Sequence, residues 1–179
     1  MGNNAFANFI NLLSINLRNC SKLSSIGDNA FYNNKLLSEI IFSNASIITS
    51  LGISGVEGCV NLERLENLHL SIKYIEQRTF YNCQLLNVDF NWFNIQLTKI
   101  NQSAFYGNNK LANLDLSNFT MLEKIDSFAF ANCPNLKEVT IPINCFAFGT
   151  NVFKNSLNIS TINLDWLDIN RVSINIPYY

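Results

Sequence analysis

Apolar residues recur at fixed intervals along the whole chain. The clearest marker is a small residue followed by an aromatic residue or valine, and we call the second member of each pair the anchor. The seven anchors are Phe6, Phe31, Val56, Phe80, Phe105, Phe130 and Phe153. Neighbouring anchors lie 23 to 25 residues apart. A period this steady predicts a solenoid of about seven stacked units, in which function lies on a repeated surface.

Two further groups of apolar positions predict short extended segments. Apolar residues stand about 6, 9 and 11 positions after each anchor, and the last two would share one face of a strand. In the fourth unit this pattern places Leu85, Val88 and Phe90 inward. A second apolar pair, 8 and 5 positions before each anchor, predicts another extended segment that faces the same core. The spacing allows only brief helical turns around the anchor.

Asparagine and glycine alone occupy the second position after the anchor, which we call the turn column. Its members are Asn8, Asn33, Gly58, Asn82, Gly107, Asn132 and Asn155. These two residue types tolerate a left-handed backbone, and an asparagine amide can also bond to main chain. We therefore expect a turn in every unit, with stacked amides that satisfy backbone groups left unpaired by the coil.

The third position after the anchor, the filler column, carries small or apolar residues in most units. Its members are Phe9, Asn34, Cys59, Cys83, Asn108, Cys133 and Ser156. Cysteine is among the most buried residue types, which predicts a column inside the coil. Cys59 and Cys83 stand in adjacent units, within reach of a disulfide. The odd total of five cysteines favours reduced core thiols instead.

Three stretches match a known repeat in many columns at once: KLSSIGDNAFYNNKLLSEIIF, LTKINQSAFYGNNKLANLDLS and LEKIDSFAFANCPNLKEVTIP. They resemble the BspA-like, or Treponema pallidum type, leucine-rich repeat, which reads L-x-x-I-x-x-x-A-F-x-x-C-x-x-L-x-x-I-x-I-P. The resemblance implies a right-handed leucine-rich-repeat solenoid, an α/β-type superhelix dominated by short parallel strands with short helical turns. The third unit departs from the pattern at Val56 and Asn67.

Composition and charge exclude several classes of protein. The 179 residues form one domain, residues 1–179, because no linker-like stretch interrupts the period. A net charge of −1 without clusters of Lys or Arg argues against nucleic acid or an anionic membrane as a partner. Apolar runs are too short to span a bilayer. Since Met1 falls just before an anchor pair, we expect the chain to be a fragment of a longer array.

The sequence offers little catalytic or metal-binding chemistry. His69 is the single histidine, and no Cys-x-x-Cys or His-x-x-x-His spacing accompanies it. Paired carboxylates for glycoside hydrolysis would lack a cleft to shield them. We expect no catalytic residue, no cofactor and no metal site.

Outward residues of the predicted strands are the candidates for partner binding. Carboxylates in this position would form a mildly acidic stripe, and two tryptophans follow strands. The six candidates are Glu66, Asp89, Trp92, Asp115, Glu138 and Trp166. An exposed tryptophan beside polar residues suits a protein or glycan contact. Solvation of the sheet by the carboxylates, and edge packing by the tryptophans, are the alternatives.

The expected function is a non-enzymatic module that binds a protein ligand, with a glycan as the second kind of ligand. The resemblance implies a surface-exposed or secreted protein that engages host or matrix proteins, since such repeats occur in adhesins and surface antigens. The alternative is an intracellular, cytoplasmic scaffold or regulatory repeat, favoured by cysteines that look reduced.

Overall fold

The computed structural model describes residues 1–164 as a stack of coils, each built from very short strands. The first column of strands comprises β1 (Ser14–Asn16), β3 (Glu39–Ile41), β5 (Arg64–Glu66), β8 (Asn113–Asp115), β10 (Glu138–Ile141) and β12 (Thr161–Leu164). The second column comprises β2 (Ser25–Ile26), β4 (Ser50–Leu51), β6 (Tyr74–Ile75), β7 (Lys99–Ile100), β9 (Lys124–Ile125) and β11 (Ala147–Phe148). Both predicted extended segments are therefore present.

Every strand pair is parallel, and equivalent positions of successive units face each other. The first column forms two sheets, β1-β3-β5 and β8-β10-β12. The second column also forms two sheets, β2-β4 and β6-β7-β9-β11. The predicted parallel solenoid is confirmed, but each of its two faces is interrupted once.

The first interruption lies in the fourth unit, where the predicted strand is wrong. A 3-10 helix, Phe90–Trp92, takes its place, and the Asp89 carboxylate caps this helix by accepting from the Asn91 N–H at 2.9 Å. Leu85 was placed inward but is 36% exposed, and the neighbouring Leu86 is buried instead. Within residues 1–164, the first column of strands therefore forms two sheets of three strands each.

Aromatic packing explains why a helical turn replaces the strand in the fourth unit. The Phe90 ring lies 5.5 Å from the Phe105 ring and 5.9 Å from the Phe93 ring, and it also meets Phe119 at 6.5 Å. Phe93 and Phe119 are buried. A helical turn brings these rings together, whereas a straight strand would hold them apart.

The anchors form a continuous aromatic stack along the second half of the solenoid. Ring centroids of Phe80 and Phe105, and of Phe105 and Phe130, are 5.2 Å apart with nearly parallel planes. All three side chains are fully buried. Val56 interrupts the stack between Phe31 and Phe80, and it is also buried. The assignment of the anchors to the core is confirmed.

The left-handed turn column is confirmed in all seven units, where φ lies between 53° and 73°. A second left-handed column lies two residues before each anchor. Its members are Asn4, Asn29, Ser54, Arg78, Ser103, Phe128 and Asn151, with φ between 54° and 58°. The sequence did not reveal this column, because such varied residue types carry no common turn signal.

The filler column, not the turn column, satisfies the backbone of the coil. Cys59 Sγ donates to the Phe31 carbonyl at 2.9 Å, and Asn108 Nδ2 donates to the Phe80 carbonyl at 2.8 Å. Cys83, Cys133 and Ser156 bond to the preceding anchor in the same way. In the turn column, by contrast, Asn33 Nδ2 donates to the Asn8 side chain. The predicted amide ladder was therefore assigned one position too early.

Two residues predicted to be inside lie exposed at the ends of the described stack. Phe9, in the filler column of the first unit, is 51% exposed, and Ile162 of β12 is 40% exposed. Phe9 precedes the first complete coil, and no described coil follows β12. Burial in a solenoid depends on a neighbour on each side.

Candidate binding surfaces

The outward face of β1-β3-β5 is neutralised by its own ion pairs. Arg64 lies 3.0 Å from Glu39 on the adjacent strand. Arg18 reaches across two coils to Glu66 at 3.1 Å. Glu66 is one of the predicted contact residues, and its charge is balanced within the chain. This half of the predicted acidic stripe offers little net charge to a partner.

The outward face of β8-β10-β12 keeps its negative charge. Asp115 on β8 accepts a hydrogen bond from the Ser117 N–H at 3.0 Å, and Glu138 stands on the neighbouring strand β10. Both are exposed, and neither forms an ion pair within residues 1–164. Strand register sets Asp115 opposite Thr140, and Glu138 between Asn113 and Thr161. We call this face, with its two unpaired carboxylates among amides and hydroxyls, the carboxylate face.

The remaining predicted residues do not join the carboxylate face on a continuous sheet. Asp89 caps the 3-10 helix in the gap between the two sheets. Trp92, in the same helix, is half-buried, and its ring lies 6.5 Å from the Phe80 ring. Trp166 lies outside the described residues. The structure thus brings Asp115 and Glu138 close together and separates them from Asp89 and Trp92.

A half-buried ionic cluster next to the turn column was not anticipated. Arg78 makes two hydrogen bonds to the Glu57 carboxylate, one of them 2.8 Å long from Nε, and its guanidinium lies 3.9 Å from the centre of the Tyr81 ring. The Tyr81 ring stacks on Tyr106 at 4.6 Å. Burial raises the pKa of Glu57, but hydrogen bonds from Arg78 and Ser54 and the charge of Arg78 outweigh it, so this pKa lies below its ordinary value. The cluster fastens adjacent coils to each other.

The four buried cysteines provide no activated nucleophile. All five are free, and four are buried. Burial raises the pKa of Cys59, Cys133 and Cys145 to about 12, and it raises that of Cys83 as well. These thiols are protonated at neutral pH, whereas nucleophilic chemistry needs the thiolate.

Other chemistry is sparse in the part of the chain that the structure describes. His69 is exposed, and its carbonyl accepts from the Ile48 N–H at 2.8 Å. Within residues 1–164, no three His, Cys, Asp or Glu side chains converge in a way that could hold a metal ion. The same residues contain no helix with the length and apolar character needed to cross a membrane.

The fold and its surfaces define a parallel β-solenoid of the leucine-rich-repeat class. A family model, the BspA type leucine rich repeat region, matches six copies over residues 1–92 and 57–174. The chain therefore belongs to the BspA type leucine-rich-repeat family. No curated protein matches the chain.

Solved structures share this fold at low sequence identity. A leucine-rich repeat protein from Bacteroides ovatus is 21% identical, with a TM-score of 0.58 over 83% of this chain and 48% of that protein. A leucine rich cell surface protein from Faecalibacterium prausnitzii is 17% identical, with a TM-score of 0.51 over 91% of this chain and 64% of that protein. The chain thus spans about half to two thirds of the length of these structures.

Proposed function

We propose that this chain is a non-enzymatic protein-binding module of a surface-exposed or secreted protein, and that the carboxylate face is its contact surface. The observation that carries this proposal is the contrast between the two outward faces. Arg18 and Arg64 neutralise carboxylates on β1-β3-β5, whereas Asp115 and Glu138 remain unpaired on β8-β10-β12. Unpaired charge on a flat polar sheet favours a partner with a basic surface.

The family and the charge pattern support a protein partner over other classes. BspA type leucine-rich repeats present broad repeated surfaces, which is typical of modules that bind proteins. The leucine rich cell surface protein from Faecalibacterium prausnitzii shares the fold, which supports a location at the cell surface. Host or matrix proteins are the proposed partners, and a glycan is the second class of ligand. Asp89, Trp92 and Trp166 would add contacts only from outside the carboxylate face.

The contact surface is tested by removing its charge without changing its shape. In the double variant Asp115→Asn/Glu138→Gln, the new asparagine can still accept from the Ser117 N–H. The matched control Glu63→Gln/Glu123→Gln changes the net charge equally at exposed glutamates elsewhere. Both are compared with the parent chain for capture by separately immobilised matrix proteins, at several salt concentrations. We expect a loss of capture of about tenfold in the first variant alone, together with a weaker salt dependence.

Two results would reject the proposal. Equal capture by the two double variants would exclude the carboxylate face as the contact surface. Hydrolysis of peptides or glycans by the purified chain would exclude a purely binding function.

The free cysteines favour a second candidate, an intracellular scaffold. Cys59 and Cys83 are free thiols in adjacent coils, and each donates to a backbone carbonyl. Reduced thiols are typical of the cytosol. Detection of the native protein inside cells, with none on the surface or in the medium, would support the scaffold and reject the surface module.

A further inference from the structure

The second column of strands opens at a single place, between β4 and β6. In five of the six pairs of neighbouring coils along this column, the backbone N–H four residues before the anchor donates to the preceding coil at 2.8–3.1 Å. The donors are Gly27, Gly52, Asn101, Asp126 and Gly149. In the remaining pair, no such bond joins the Glu76 N–H to the Leu51 carbonyl. The hydrogen bond expected from the Lys73 N–H to the Thr49 carbonyl is also absent.

A slip in register lies beside the opening. Ile48 pairs with Leu70. The stretch of chain from Leu70 to the anchor of its own unit is two residues longer than the stretch from Ile48 to the anchor of its unit. The coils are joined at Ser71, whose N–H donates to the Ile48 carbonyl at 2.8 Å, and again where the Ser54 N–H donates to the Gln77 carbonyl at 3.0 Å. Between these two joined points, residues 49–53 and 72–76 face each other without backbone hydrogen bonds.

The opening is a cleft of about 410 Å³, which is within the size range of small ligand sites. Its apolar part includes Leu51 and Ile72, which are buried, and Ile53 and Tyr74, which are 42% and 49% exposed. The cleft therefore combines an apolar floor with an aromatic rim.

Charged side chains surround the unpaired backbone. Asp28, Glu76 and Lys73 line the cleft, and two carboxylates against one ammonium give the lining a net charge of −1. Asp28 Oδ1 accepts from the Ile53 N–H at 2.9 Å, and Glu76 Oε2 accepts from Asn101 Nδ2 at 3.1 Å. Each carboxylate thus has one oxygen without a hydrogen bond. Neither forms an ion pair within the described residues.

We propose that this cleft binds an extended peptide segment of a partner protein that carries a basic side chain. The Thr49 and Leu51 carbonyls lie on one wall of the cleft, and the Lys73 and Glu76 N–H groups lie on the other. These acceptors and donors match the donors and acceptors of a peptide backbone, as in β-strand addition. The carbonyls of Thr49 and Leu51 are two residues apart, which matches the spacing of alternate amides along an extended chain. A guanidinium would meet Asp28 or Glu76 and could lie over the Tyr74 ring.

This proposal concerns a different surface from the carboxylate face, so the two can fail separately. The probe is a fluorescent, acetylated and amidated hexapeptide of alternating valine and arginine, and its binding is measured by anisotropy. Two altered peptides separate the contributions. One replaces arginine by glutamate, and the other carries N-methyl groups on its valine amides, which removes backbone donors.

The matched protein variants remove charge but keep the local hydrogen bonds. In Asp28→Asn/Glu76→Gln, the new amide oxygens can still accept from Ile53 and Asn101. The control is Glu63→Gln/Glu123→Gln, which changes the same net charge at exposed glutamates outside both the cleft and the carboxylate face. Circular dichroism establishes that each variant is folded.

We expect saturable binding of the valine-arginine peptide to the parent chain and to the control variant. Binding should weaken about tenfold or more for Asp28→Asn/Glu76→Gln, for the glutamate peptide and for the N-methylated peptide. Three results would overturn the proposal: no saturable binding, equal binding of the N-methylated peptide, or a loss of binding in the control variant alone. The last result would place the basic peptide away from the cleft.

Discussion

Removal of the Phe105 side chain tests the aromatic stack at its centre. Phe105 is fully buried between Phe80 and Phe130, at ring separations of 5.2 Å on each side, and it also meets Phe90 and Phe93. Truncation of a buried phenylalanine to alanine costs about 3–5 kcal/mol, since it leaves a cavity. The loss of two stacked pairs places Phe105→Ala toward the upper end of that range.

The expected loss is large relative to the whole stability of such a domain, about 5–15 kcal/mol. Urea unfolding followed by circular dichroism should show a midpoint lower by roughly 2 M, given a slope of about 2 kcal/mol/M. The melting temperature should fall by roughly 10 °C. The matched control is Phe146→Ala, because Phe146 is 55% exposed and its removal should change stability by less than about 0.5 kcal/mol. Equal midpoints for the two variants would refute the assignment of Phe105 to the core.

Three further substitutions test the filler column and the ionic cluster. Asn108 donates to the Phe80 carbonyl, but its own Oδ1 is buried without a partner. The free energy of unfolding of Asn108→Cys, measured in urea, should therefore match or exceed that of the parent. Asn108→Ala should lose about 1–3 kcal/mol of this free energy, because the Phe80 carbonyl loses its donor. Burial opposes ionisation of Glu57, yet Arg78 and Ser54 hold its pKa below the ordinary 4.5. Its stabilising contribution is complete above pH 4.5 and is lost as pH falls through the lowered value. In Glu57→Gln, the free energy of unfolding should fall less steeply than in the parent as the pH is lowered from 7 to 3.

The sequence predicted the features that every unit repeats. Anchors such as Phe105, both extended segments and the left-handed turn at residues such as Gly107 follow from the period and from residue type. Residue type did not predict every left-handed backbone position. Phe128 and Arg78 adopt a left-handed backbone that their side chains do not favour, because stacking with neighbouring coils fixes the turn.

The features that were missed depend on contacts between coils. Asp89 follows the strand pattern, but its carboxylate caps a helical turn and ends the first sheet. Glu66 lies in the predicted stripe, but Arg18, 48 residues away in sequence, neutralises it. The cleft between β4 and β6 lies beside the slipped pairing of Ile48 with Leu70, which no single unit reveals. Of the predicted contact residues within residues 1–164, only Asp115 and Glu138 lie together on one sheet without an ion pair.

Amide hydrogen exchange, resolved to single residues in the free protein, tests the coil register most directly. The Asn101 and Asp126 N–H groups bond to the preceding coil at 2.9 Å and 2.8 Å, so we expect them to exchange slowly. The Lys73 and Glu76 N–H groups face the cleft without such bonds, and we expect them to exchange at least tenfold faster. Equal protection at all four amides would show that the second column of strands is continuous, and it would contradict both the slipped register and the cleft.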